Sequence, residues 1–131
     1  MFQLLPDLDQ VVVDFLTNHP ALTGLHGGRV GTSLRDGDNP AVRTTSLGGP
    51  NPWPWETRPD MQIEWWGGDQ GQAKTLCRTG EAALWELIGP VTGGHITGLS
   101  MPLTQLWSPD DETGRARYLT QISITASPEG T

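Results

Sequence analysis

The stretch "MQIEWWGGDQGQAKTLCRTGEAALWELI", Met61 to Ile88, sets the fold class. In its first residues Met61, Ile63 and Trp65 point one way and Gln62, Glu64 and Trp66 the other, the two-residue period of a strand. The period then changes. Ala73, Leu76, Cys77, Gly80, Leu84, Leu87 and Ile88 form one apolar stripe, which predicts a helix over 70–88 with Asp69 as its N-cap. Gly80 costs that helix about 1 kcal/mol relative to Ala, a loss tolerated where a backbone must approach closely. Gly89-Pro90 ends it.

Upstream, "LPDLDQVVVDFLTNHP" places Leu8, Val11, Val12, Phe15 and Leu16 at i, i+3, i+4, i+7 and i+8, a second amphipathic helix. Pro6 and Asp7 suit its first turn, and Pro20 disfavours helical geometry at His19. Two short strands are expected at about 29–34 and 41–47, joined by the turn residues Asp36-Gly37-Asp38-Asn39-Pro40. Downstream, strands at about 97–107 and 117–126 flank the hairpin loop "SPDDETGR". The expectation is a single α+β domain: two helices packed on one face of a mostly antiparallel sheet of about five strands, with a long Pro/Trp-rich loop between strands two and three. The other sheet face must be wet or covered by a partner.

The totals narrow the function classes. At 131 residues the chain can bury a core without disulfides or metals. Its 17 Gly and 11 Pro predict long loops around that core. Eight basic against 15 acidic residues gives a net charge of −7, the opposite of a nucleic-acid grip, though an acidic surface can line a passage through which DNA slides. Seven of the cations are Arg, which suits pairing at interfaces and equally follows from a GC-rich coding bias. Cys77 is the lone cysteine, so neither an internal disulfide nor a cysteine zinc cluster is expected. The opening "MFQLLPDLDQVV" lacks a basic n-region and carries Asp7 and Asp9, so no signal peptide is expected. No apolar run is long enough to span a membrane. The protein is expected in a cytosol, or in something assembled there.

No catalytic, cofactor or metal residue is expected. "TGLHGGRVG" around His26 lacks the Gly-Lys-Ser/Thr ending of a phosphate loop and reads as a flexible loop. "DGDN" at 36–39 starts like a calcium loop but lacks the spaced glutamate. Asp110-Asp111-Glu112 could hold a cation if His95 folded beside it; adjacent acids on a turn more commonly face water. Cys77 sits on a buried stripe, where a packed thiol is the default. His19, His26 and His95 fall in loop-like surroundings with no carboxylate placed to orient them.

The six tryptophans remain. Trp65 packs inward by its alternation, and Trp85 flanks the helical stripe. Trp66 should face outward, and Trp53 and Trp55 alternate with prolines in "PNPWPWETRP". Proline cannot complete a central ladder, so that segment is an extended arm. Exposed Trp53, Trp55 and Trp66 with nearby Arg58 make a candidate subunit interface. The alternative is that the arm folds back over its own sheet.

"MQIEWWGGDQGQAKTLC" resembles the corresponding passage of the tail terminator proteins of long-tailed phages, and so does "SPDDETGRARYLTQISIT". The resemblance extends to nearly the whole order of elements. It implies a non-enzymatic virion protein at the head-proximal end of the tail, made in the host cytoplasm. It further implies a homo-oligomeric ring, a hexamer, that caps the tail tube, ends its polymerisation and offers a surface to the head connector. The implied partners are the tail tube protein and a head-completion protein, with DNA passing through an acidic lumen without specific binding. The Trp53–Arg58 arm would supply one of the two patches of a heterologous ring contact. Other readings are a head-closure or adaptor protein, a small metal-dependent hydrolase using His95, Asp110 and Asp111, and a domain that binds peptides through the tryptophan arm.

Overall fold

The computed structural model describes residues 4–33 and 39–129. Among them are helices α1 (Leu8–Asn18), α2 (Pro20–His26) and α3 (Gln70–Leu84), and strands β1 (Val30–Gly31), β2 (Ala41–Gly48), β3 (Asp60–Gly67), β4 (Gly89–Val91), β5 (Gly94–Trp107) and β6 (Ala116–Pro128). The strands form one sheet in the order β1-β2-β3-β6-β5-β4. Every pairing is antiparallel except β1 with β2. The α+β class and the mostly antiparallel sheet agree with expectation, while a third helix and a sixth strand extend it.

β3 lies at the centre because both of its faces find cover. Met61, Ile63 and Trp65 are buried under the helices, as the alternation predicts. α3 is capped by Asp69, whose carboxylate accepts from Gln72 N at 2.8 Å. Its stripe residues Ala73, Leu76, Cys77, Gly80 and Leu84 are all buried. A methyl group at Gly80 would overlap the Trp65 indole, so the glycine costs helix propensity but lets helix and strand close on each other. Trp65 Nε1 donates to Thr120 Oγ1 at 2.9 Å, and that hydroxyl donates to Glu81 at 2.6 Å. The same carboxylate accepts from Gln105 N at 2.9 Å, where Gln105 has φ 48° within the bulged β5. A buried polar chain therefore ties the core tryptophan to an irregular point of β5 (satisfied at each step, as burial requires).

Four boundaries moved. Asp7 is the N-cap of α1, accepting from Gln10 N at 3.3 Å, rather than part of its first turn. His19 is extended as Pro20 demands, but the chain re-enters helix at once: Pro20 opens α2 and His19 caps it by accepting from Ala21 N at 3.1 Å. A seven-residue helix is too short to show a period. The predicted long helix stops at Leu84 and tightens into a 3-10 turn at Trp85–Leu87, after which Gly89-Pro90 start β4. The expected strand at 29–34 pairs only over Val30–Gly31, and the turn residues 36–38 lie outside the described residues.

Candidate functional site

The Pro/Trp segment leaves β2 at Gly48 and returns into β3 at Asp60. Its base is fixed from two sides. Arg58 N donates to Pro50 O at 3.0 Å, and Thr57 exchanges backbone bonds with Ala126 of β6 at 2.9 and 3.0 Å. Gly49 passes so close to the Arg58 carbonyl that no side chain fits there. The tip is a tight turn: Glu56 N donates to Trp53 O at 3.1 Å, with Pro54 in the position where its fixed φ favours a turn. That turn brings Trp53 and Trp55 face to face, centroids 5.6 Å apart and planes 4° from parallel. Both stay half exposed, at 54% and 52%. Arg58 pairs with Glu56 at 2.8 Å with half its side chain in solvent. The returning limb of the arm is thus tied to the sheet at Thr57, while its tip carries two stacked, half-exposed indoles.

Trp66 behaves differently from its expectation. It leaves the helix side as predicted but is only 6% exposed. Arg115 lies over its ring at 4.5 Å and Arg117 at 5.2 Å, because the β3–β6 register sets Trp66 directly opposite Arg117. Arg117 also reaches Glu64 at 3.3 Å, and Arg43 reaches it at 3.5 Å, which neutralises a carboxylate buried on the outer sheet face. The guanidiniums cover within one chain what was expected to wait for a partner. The sequence signal was the Arg-x-Arg of residues 115–117, two cations on one side of a strand.

The other candidates are held by structural bonds or lie far apart. β5 has fourteen residues, so His95 near its start and Asp110 beyond its end are separated by roughly 35–40 Å. The His95–Asp110–Asp111 hydrolase site does not form, and no metal-binding cluster of His, Cys, Asp and Glu occurs among the described residues. Asp110 instead organises its turn, accepting from Thr113 N and Oγ1 at 2.9 and 2.6 Å. Those bonds, with Arg117 and Arg115 nearby, hold its carboxyl below the ordinary range. His26 is buried, bonded through Nε2 to Leu16 O at 2.8 Å and accepting at Nδ1 from Gly28 N at 2.9 Å. The glycine-rich stretch is therefore anchored rather than loose at that point. His19 does have a carboxylate, Glu86 at 3.0 Å, which ties α2 to the 3-10 turn. Burial, with the Glu81 carboxylate adding, pushes the Cys77 thiol up to about 12, so it stays protonated.

Sequence reasoning also passed over a groove of about 320 Å³ between the start of α1 and the β4–β5 turn. Leu4, at 79% the most exposed large apolar side chain among the described residues, lies on it. Nothing in the period of α1 announces it, since it forms only where Pro6 meets the Thr92-Gly93 turn.

No helix among the described residues is long and apolar enough to cross a membrane. No protein-family model matches the chain and no curated protein matches it. Among solved structures, the fold is similar to a chain of one described as the virion of a native gene transfer agent particle. That likeness has TM-score 0.65 and 16% identity, and covers 92% of this chain and 94% of that one.

Proposed function

We propose that this chain is a non-enzymatic structural subunit of a phage-type virion, a tail-terminator-like protein. It forms a hexameric ring that caps the tail tube, ends its polymerisation and presents a surface to the head connector. The observation that carries the reading is the pair of stacked, half-exposed indoles on a braced arm. Prolines and backbone bonds have already ordered that arm, so docking it costs little conformational entropy. The shared fold with a virion chain over almost the full length supports the same reading. The net charge of −7 suits a lumen that DNA traverses without sticking, and favours this role over a more basic head-closure or adaptor subunit.

Magnitudes limit what the arm does alone. Covering the exposed halves of two indoles removes roughly 200 Å² of apolar surface from water, about 5 kcal/mol gross. A stable contact buries about 800 Å² on each partner. Trp53, Trp55 and Arg58 therefore serve as the anchor of a larger contact, while Trp66, at the opposite end of β3 and covered by its own chain, takes no part in it. Negative-stain microscopy and sedimentation of the purified protein test the reading. The native chain should form closed rings, and Trp53→Ala/Trp55→Ala should stay a folded single chain. Rings formed equally well by the double variant would remove the arm from the contact.

A further inference from the structure

We propose that the groove between the start of α1 and the β4–β5 turn receives the Trp53–Trp55 arm tip of a second copy of this chain. The inference rests on the ring reading above and names the receiving half of its contact. A heterologous contact needs two unlike patches on each subunit, and the arm is only one of them.

Size, polarity and charge each match. An apolar cavity of about 150 Å³ holds one six-membered aromatic ring. A groove of about 320 Å³ therefore has room for an indole, with part of its stacked neighbour at the mouth. Leu4, Leu5, Pro6 and Val11 give it apolar walls. Pro6 packs against Gly94, whose missing side chain leaves room for both the Pro6 ring and the Ser127 carbonyl, so the floor is closely packed. Asp7 and Asp14 stand on the rim, and the arm carries half-exposed Arg58, whose guanidinium is paired with Glu56 of the same arm at 2.8 Å and on docking would be shared with the rim acids. In a chain of net charge −7, two copies repel unless cations meet acids where they touch. Within one chain the groove lining includes no arm residue. The base of the arm, at Thr57 and Pro59, instead borders a separate crevice beside Pro6–Asp9. A solitary copy thus leaves both the indoles and Leu4 open to water.

Complementation tests this directly. Gln10→Trp fills the groove from an exposed position on α1, and Trp53→Ala/Trp55→Ala empties the arm. Each variant alone should sediment as a single chain with unchanged circular dichroism. Mixed one to one, they should recover a two-chain species, because one keeps its arm and the other its groove. Asp14→Arg, also exposed, should weaken self-association at least tenfold without shifting the thermal midpoint. If Gln10→Trp assembles like the native chain, the groove is not the receiver, although the arm's role would stand. If it assembles normally but no longer joins tail tube or connector protein, the groove serves another protein and the proposal falls. A mixture that stays single-chain while the native protein associates also overturns it. A native protein that remains single-chain at every concentration overturns both this proposal and the ring reading.

Discussion

Two tryptophan sites ten positions apart in the chain, Trp65 in β3 and the Trp53–Trp55 pair on the preceding arm, solve opposite problems. Trp65 is fully buried: its Nε1 is bonded to Thr120, and its ring fills the space that Gly80 leaves open. The arm pair is held just as firmly, by prolines and by backbone bonds to Pro50 and Ala126, yet half of each ring faces water. In the first case order serves packing density, and in the second it serves presentation. Rigidity alone does not mark a core. Trp66 lies between them, an outward-facing indole that its own chain covers with two guanidiniums.

The contrast fails if the two sites respond alike to truncation. The largest loss should follow Trp65→Ala, about 3–5 kcal/mol in denaturant unfolding, because a buried ring leaves a cavity and Thr120 loses a donor. Gly80→Ala should cost about 2–3 kcal/mol despite the gain in helix propensity, since the new methyl must displace the Trp65 ring. A variant as stable as the native chain would show that helix and strand have slack there. Arg117→Met should cost about 1–2 kcal/mol, as it half uncovers Trp66 and leaves Glu64 with Arg43 alone. The smallest change should come from Trp53→Ala/Trp55→Ala, within about 0.5 kcal/mol of native stability. A loss of several kcal/mol from that double variant would make the arm part of the core and erase the distinction.

The parts legible in the sequence were those written in local periods. The α3 stripe, its Asp69 cap, the inward set of β3 and the arm between β2 and β3 all depend on residues a few positions apart. Glycine at position 80 read as a site of close approach, and the approaching group is the indole of Trp65. What escaped depended on distant partners. Trp66 read as exposed because alternation assigns a face of the sheet, while cover on that face comes from Arg115 and Arg117 far along the chain. His19 and His26 read as loop residues because α2 is too short for a period, and their partners, Glu86 and Leu16 O, lie on other elements.

By itself, the sequence determined the α+β class, the two long amphipathic elements and an arm that proline keeps out of the sheet. Side-chain period and proline's missing donor act over a few residues whatever the rest of the chain does. Only the tertiary structure decided which outward indoles remain open, which histidines are bonded, and that Pro6 and the Thr92-Gly93 turn meet to form a groove. Those outcomes follow from strand register and from helices settling on a sheet, which bring together residues no local rule connects.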